Sequence, residues 1–140
     1  MAERAGRLGI PRLKSNGKDP LGTPFGMPVS LANGSSGISA KERCKTILAL
    51  DNPDTNPSAF SMPGHVSTLI AHEAGVVGRC GHTEAILEIL SVAGIPGCGV
   101  LCEILNPDGT VARLESLKGI SKLYDLPMLD IGELLRLCRG

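Results

Sequence analysis

The sequence Gly78-Arg79-Cys80-Gly81-His82-Thr83-Glu84-Ala85 lies between an extended apolar segment and a predicted helix, and it decides how the chain folds around its site. The apolar residues of 65–77 fit strand pieces flanking a turn, and residues 83–93 fit a helix closed by a glycine. The N–H groups at a helix start are unpaired and the macrodipole is positive there, which favours a bound anion. The junction therefore predicts a site in which Arg79 clamps an anion and His82 meets a metal or a proton.

Capping residues and turns predict the elements on either side of this junction. Ser39 with Glu42 forms a capping box that opens a helix through about residue 50, and Asp130 with Glu133 opens the last helix. Residues 99–105 and 110–114 predict a β-hairpin, residues 117–124 a helix and residues 126–129 a short strand. Strands and helices do not alternate strictly. The expected fold is therefore α+β, a mixed sheet with flanking helices, in a single domain over residues 1–140.

The first 37 residues are rich in Gly, Pro, Ser and Asn, and they admit at best one short strand. Pro24 and Pro28 weaken even that strand, because proline has no N–H to donate to a sheet. We expect this part of the chain to be loop-rich and to act as a lid or as a strand segment.

The composition excludes several classes of function. Fourteen basic and fourteen acidic residues give a formal net charge of zero, and the chain has no Trp, one Tyr and two Phe. Both the electrostatic pull and the stacking surfaces of a nucleic-acid-binding protein are therefore lacking. The odd number of cysteines, five, suits a reducing cytoplasm. Neither a signal peptide nor an apolar run of about 20 residues is visible, so no membrane span is expected.

Several motifs together resemble one known family. They are Pro63-Gly64-His65, then Arg79-x-Gly81-His82-Thr83-Glu84-Ala85, then Gly99-Val100-Leu101-Cys102-Glu103 with Asn106-x-Asp108-Gly109, and shorter matches at residues 8–11, 22–25 and 37–40. In this order they resemble the 3,4-dihydroxy-2-butanone 4-phosphate synthases of riboflavin biosynthesis. The resemblance covers the whole chain and implies the C-terminal two-thirds of that family's fold.

The resemblance also implies an activity. Enzymes of this family are magnesium-dependent lyases that convert ribulose 5-phosphate to a four-carbon phosphate and formate, and they work as homodimers. By resemblance His65 and Glu103 are the catalytic residues, and both could carry protons during enolisation. The substrate-binding residues are Arg79, Cys80, Gly81, His82 and Thr83, and His82 matches the family's metal-binding histidine.

Each of these residues also has a purely structural interpretation. The segment from Arg79 to Thr83 could be a capped helix start with a solvated guanidinium. His65 could be a turn residue after Pro-Gly, and Glu103 could point to solvent from an edge strand.

The family's acidic loop, which supplies carboxylates for magnesium, is expected to be missing from this sequence. Magnesium wants oxygen ligands, so His82 would be a metal ligand only if a metal is retained. We therefore expect a shortened, diverged member that acts as a lyase, isomerase or cyclase on a small keto or phosphorylated metabolite in specialised metabolism. The alternative is a non-catalytic homologue that binds a ligand or pairs with a full-length synthase. In either case we expect a cytoplasmic homodimer with a small-molecule ligand.

Overall fold

Two antiparallel strands form the sheet of the computed structural model, which describes residues 2–95 and 97–139. Strand β1 (Phe25–Leu31) pairs with strand β2 (Phe60–Leu69), so that Phe25 lies opposite Leu69 and Leu31 opposite Phe60. The helices are α1 (Ala2–Arg7), α2 (Ala40–Asp51), α3 (Gly75–Gly78), α4 (His82–Val92), α5 (Leu114–Tyr124) and α6 (Ile131–Arg139), with a 3-10 turn at Pro57–Ala59. The α+β class is confirmed, and the sheet within the described residues is purely antiparallel.

A small apolar core lies between the sheet and the first two helices. Its buried members are Leu8, Ile10, Val29, Leu50 and Phe60. They come from the residues after α1, from both strands and from the end of α2, so this core fixes the helices against the sheet.

Helix α2 begins as its sequence predicts. The Ser39 hydroxyl accepts a hydrogen bond from the Glu42 N–H, and the Glu42 carboxylate accepts one from the Ser39 N–H, each at 3.2 Å. One turn later the fully buried Thr46 hydroxyl donates to the Glu42 carbonyl and accepts from the Leu31 N–H, each at 3.0 Å. Because this hydroxyl satisfies groups on both elements, it joins α2 to β1.

Strand β1 forms although it contains Gly26, Met27 and Pro28. Between Gly26 and Val29 the partner on β2 moves by only two residues, from Thr68 to Val66, so β1 carries one extra residue there. Pro28 lies inside this bulge, where the ladder needs no N–H from it. The prediction that the prolines weaken the strand is therefore wrong in this respect.

Helix α1 was not predicted. Six residues are too few for a stable isolated helix, so tertiary contacts must hold it. The Arg4 guanidinium donates to the Leu50 carbonyl at 3.0 Å and also to the Asn52 carbonyl, and Leu8, directly after the helix, is almost completely buried. These contacts tie α1 to the end of α2, which sequence periodicity alone cannot show.

Four predicted β segments do not form strands: residues 99–105 and 110–114 of the hairpin, residues 126–129 and the second apolar piece of 65–77. The predicted hairpin of residues 99–114 keeps its turn, but a single bridge, Leu105 to Val111, is all that remains of its ladder. An isolated two-stranded hairpin is marginal in water, which explains the loss. Residues 126–129 have no regular structure, and the second apolar piece of 65–77 is helix α3 rather than a strand.

Candidate functional site

The junction between α3 and α4 is built around an ion pair. Arg79 follows α3, and its Nη1 lies 2.8 Å from Oε2 of Glu84 in the first turn of α4. Glu84 is fully buried, while the Arg79 side chain is 27% exposed. The second guanidinium nitrogen of Arg79 donates to the Leu21 carbonyl at 3.2 Å. Arg79 thus holds an internal carboxylate and is not simply solvated.

The same carboxylate binds a third segment of the chain. Oε1 of Glu84 accepts a hydrogen bond from the His72 N–H at 2.9 Å. A negative charge in the first helical turn is also favoured by the macrodipole of α4. Through these hydrogen bonds, Glu84 links residues 72 and 79 to the start of α4. Glu84 was not among the predicted site residues, although an acid five residues after an arginine, at the start of an apolar helix, was a signal for such a pair.

Gly81, the N-cap of α4, leaves room for this ion pair. A Cβ at this position would lie 2.3 Å from Nη1 of Arg79 and 2.9 Å from Oε2 of Glu84. Such distances are shorter than any real Cβ contact, so a side chain would push the guanidinium aside. Gly81 was predicted to form part of an anion cradle. In the structure it allows the Arg79 guanidinium and the Glu84 carboxylate to approach each other closely.

The remaining residues of the motif differ in accessibility. His82 begins α4 and is exposed, as is Cys80, whereas Thr83 is buried. The N-cap residue of α4 is Gly81, which has no side chain to cap the helix. The imidazole of His82 and the thiol of Cys80 are therefore open to solvent, and Thr83 faces the interior.

A cavity of about 470 Å³ lies between the sheet and the helices. Two of the predicted site residues, His65 and Thr83, line it together with two cations, Arg4 and Arg43. The rest of its wall is mainly apolar and includes Leu8, Phe25, Leu50, Ile70, Ile86 and Leu101. Arg43 forms none of the ion pairs found among the described residues, so its charge is available to an anion.

The structure places the two predicted catalytic residues differently. His65 lies in β2, not in a turn, and its backbone N–H donates to the Ser30 hydroxyl at 2.9 Å. Glu103 lies in the irregular segment after α4, is exposed, and does not line the cavity. The lining also excludes Arg79, Cys80, Gly81 and His82. The structure therefore brings together His65 and Thr83 and leaves the other predicted residues outside this cavity.

A cysteine at the cavity wall is chemically protected. The Cys98 thiol donates to the Leu50 carbonyl at 3.4 Å, and its N–H donates to Oδ1 of Asp51 at 2.7 Å. Burial, followed by the negative charge of Asp51, raises the pKa of the Cys98 thiol. Because the thiolate is the reactive form, Cys98 is a poor nucleophile at neutral pH.

The described residues do not fit a magnesium ion. Within residues 2–95 and 97–139, no group of three or more His, Cys, Asp or Glu side chains could hold a metal. The carboxylate nearest in sequence to His82 is Glu84, and both of its oxygens are already engaged by Arg79 and His72. Magnesium requires several oxygen ligands, so His82 does not make a magnesium site with the groups described here.

Among the described residues, none of the helices is both long enough and apolar enough to cross a membrane. The α+β fold and a cavity that combines apolar walls with a histidine and two arginines have the general form of a small-molecule site. The chain belongs to the 3,4-dihydroxy-2-butanone 4-phosphate synthase family, whose sequence model matches residues 1–137.

Known relatives agree with this assignment. A 3,4-dihydroxy-2-butanone 4-phosphate synthase of Chromobacterium violaceum is 41% identical over 133 residues, which cover 94% of this chain and 63% of the relative. A riboflavin biosynthesis protein of Bacillus mycoides is also 41% identical over 133 residues, covering 95% of this chain and 34% of that protein. The chain thus spans less than two-thirds of the length of these relatives.

Solved structures show the same fold. The Candida albicans synthase superposes with a TM-score of 0.86 at 32% identity, covering 97% of this chain and 67% of that one. A synthase solved in complex with two magnesium ions superposes with a TM-score of 0.81 at 28% identity, covering 97% of this chain and 69% of that one. The second structure indicates that members of the family bind magnesium.

Proposed function

We propose that this chain forms the substrate-cavity part of a 3,4-dihydroxy-2-butanone 4-phosphate synthase and serves riboflavin biosynthesis. The observation that carries the proposal is that His65 and Thr83, which the family motifs single out independently, line one cavity beside Arg4 and Arg43. A phosphorylated sugar such as ribulose 5-phosphate, which the resemblance implies, combines a phosphate with a small polar body. The cavity supplies cations for the phosphate and an imidazole for proton transfer.

In this proposal each residue acts through its position. Arg43 meets the phosphate, because the Arg4 guanidinium already donates to the Leu50 and Asn52 carbonyls at the C-terminal end of α2. During enolisation, His65 removes a proton from the carbon next to the substrate carbonyl and later returns it. Arg79 acts as a positioning residue, since its ion pair with Glu84 fixes the start of α4 and therefore Thr83.

Magnesium has no place in these steps, because the described residues do not form its ligand set. If the family's metal is used, most of its oxygen ligands must come from polypeptide outside the described residues. Assembly as a homodimer belongs to the same proposal, and light scattering of the purified chain tests it.

A carbon-13 NMR time course of labelled ribulose 5-phosphate tests the function, with and without magnesium. We expect the protein to broaden the substrate signals and to release formate, and His65→Ala to abolish formate while the substrate still binds. His72→Gln is the matched control, because His72 is an exposed histidine outside the cavity wall. Neither broadening nor formate, or full activity in His65→Ala, would contradict the proposal.

A non-catalytic role is the second candidate, and the position of Glu103 favours it. This residue is exposed and outside the cavity wall, so the second predicted proton carrier does not face the predicted substrate. Such a homologue would broaden the substrate signals without forming any product. A labelled product other than formate would instead indicate the diverged lyase, isomerase or cyclase.

A further inference from the structure

The register of the sheet jumps next to Ser30. Val29 of β1 lies opposite Val66, but the following residue, Ser30, lies opposite Ser61. Four residues of β2 therefore have no partner residue on β1 and bulge out of the ladder, and His65 is the last of them. The regular pairing of the two strands thus does not fix the position of His65.

A side chain supplies the hydrogen bond that holds His65 at this point. The His65 N–H donates to the Ser30 hydroxyl oxygen at 2.9 Å, where a regular ladder would use a carbonyl of the partner strand. Ser30 is only 3% exposed, so this bond is shielded from water. Among the described residues no hydrogen bond holds the imidazole itself, and its direction therefore depends on the backbone that carries it.

Two glycines enclose the Ser30 side chain. A Cβ at Gly64 would overlap the Val29 carbonyl carbon and the Ser30 nitrogen, so β1 and the bulge approach each other closely there. A Cβ at Gly37 would lie 2.7 Å from the Ser30 Cβ and 3.9 Å from Nδ1 of His65. Ser30 is thus packed between the loop that precedes α2 and the bulge of β2, beside the His65 imidazole.

We propose that Ser30 is a positioning residue, whose hydroxyl holds His65 so that the imidazole faces the cavity. It is not a catalytic residue, because His65 lines the cavity and Ser30 does not. The inference rests on the proposed function in one respect, namely that His65 carries the proton of enolisation. A misplacement of about 1 Å costs a reacting group roughly 10²-fold in rate, so the hydroxyl should affect turnover more than substrate binding.

Amide hydrogen exchange followed by NMR tests the positioning without turnover. Ser30→Ala removes the acceptor, and we expect the His65 amide to exchange about fivefold faster. The Ile70 amide, which donates to the Pro24 carbonyl at 2.9 Å in the same sheet, is the internal reference and should change less. Ser61→Ala is the matched control, because the Ser61 hydroxyl donates to the Ser30 carbonyl at 3.3 Å and does not hold His65.

A pair of glycine variants perturbs the Ser30 hydroxyl from the opposite side. Gly37 and Gly34 have φ values of 75° and 82°, so alanine strains the backbone similarly at both positions. At Gly37 the new Cβ would also press on the Ser30 side chain, whereas at Gly34 nothing lies within 4 Å. We expect the His65 amide to exchange faster in Gly37→Ala than in Gly34→Ala, and equal exchange would contradict the inference.

The formate assay separates the positioning from the proposed function. If the unchanged chain releases formate, Ser30→Ala should lower kcat by at least about tenfold and change KM by less than about twofold, because Arg43 and the cavity wall are unaltered. If the unchanged chain releases none, the proposed function fails, and the exchange of the His65 amide alone decides whether Ser30 holds this residue.

Two kinds of result would overturn the inference. The first is unchanged exchange of the His65 amide in Ser30→Ala, or a rise that is equally large at Ile70 or in Ser61→Ala. The second is an unchanged kcat in a Ser30→Ala chain whose His65 amide exchanges faster, because turnover would then not depend on how His65 is held.

Discussion

Removing the charge of Arg79 should destabilise the protein more than removing the charge of its partner. The two residues form an ion pair of 2.8 Å, but their surroundings differ, since the Glu84 side chain is fully buried and the Arg79 side chain is 27% exposed. An Arg79→Met variant leaves a carboxylate without a counter-charge in the interior. A Glu84→Gln variant leaves a guanidinium that can still reach water.

The expected magnitudes follow from this asymmetry. Breaking a buried pair by removing one partner costs about 3–5 kcal/mol, and we expect Arg79→Met to lower the free energy of unfolding by that amount. In Glu84→Gln the amide oxygen can still accept the hydrogen bond that the His72 N–H donates at 2.9 Å. We therefore expect a loss of only about 1–2 kcal/mol in Glu84→Gln. The double variant should be more stable than Arg79→Met, because it buries no lone charge.

Urea unfolding followed by circular dichroism measures these differences. The free energies of unfolding are compared only between variants whose free energy falls with the same slope against urea concentration. A loss in Arg79→Met that is equal to or smaller than the loss in Glu84→Gln would refute the reasoning. A double variant that is less stable than Arg79→Met would refute it as well, since the cost would then not come from an uncompensated carboxylate.

Two further predictions concern the sheet and the cavity wall. Gly64→Ala should abolish the native circular dichroism spectrum, because its Cβ would lie 2.0 Å from the Val29 carbonyl carbon; Gly6→Ala, with nothing within 4 Å, is the control and should keep the spectrum. Burial, and secondly the charge of Asp51, raises the pKa of the Cys98 thiol above its ordinary 9.0. The protonated thiol therefore stabilises the folded chain fully below pH 9.0, and this stabilisation is lost as the pH rises through the pKa of the thiol in the folded state. Cys98→Ala should therefore flatten the alkaline fall in the free energy of unfolding, and an unchanged profile would contradict this.

Local signals predicted much of the fold. The capping box at Ser39 and Glu42 and the glycine after α4 act through neighbouring residues, so the sequence alone was enough to locate α2 and α4. Helix α1 and the bulge around Pro28 depend on partners elsewhere in the chain. No local pattern carries that information, and these elements were missed or underestimated.

The site was predicted less completely than the fold. Sequence motifs named His65 and Thr83, and the structure places both at one cavity. They also named Arg79 as an anion clamp, but the structure engages its guanidinium with Glu84, a contact that only the packing of α4 reveals. The substrate roles of the predicted residues stay predictions. The prediction of a hairpin over residues 99–114 was wrong because its two segments are joined by a single bridge, and no further strand within the described residues supports them.

The irregular segment of residues 98–105 carries a single charge, and that charge has a consequence for solubility. Between Cys98 and Leu105 every residue except Glu103 is uncharged, and most are apolar. Short apolar segments with strand-forming residues are the usual starting points of aggregation, and a charge within them acts as a gatekeeper. Two copies that stacked edge to edge through this segment would bring two exposed Glu103 carboxylates towards each other. Beyond any part in chemistry, we therefore expect Glu103 to disfavour self-association of the chain through this segment.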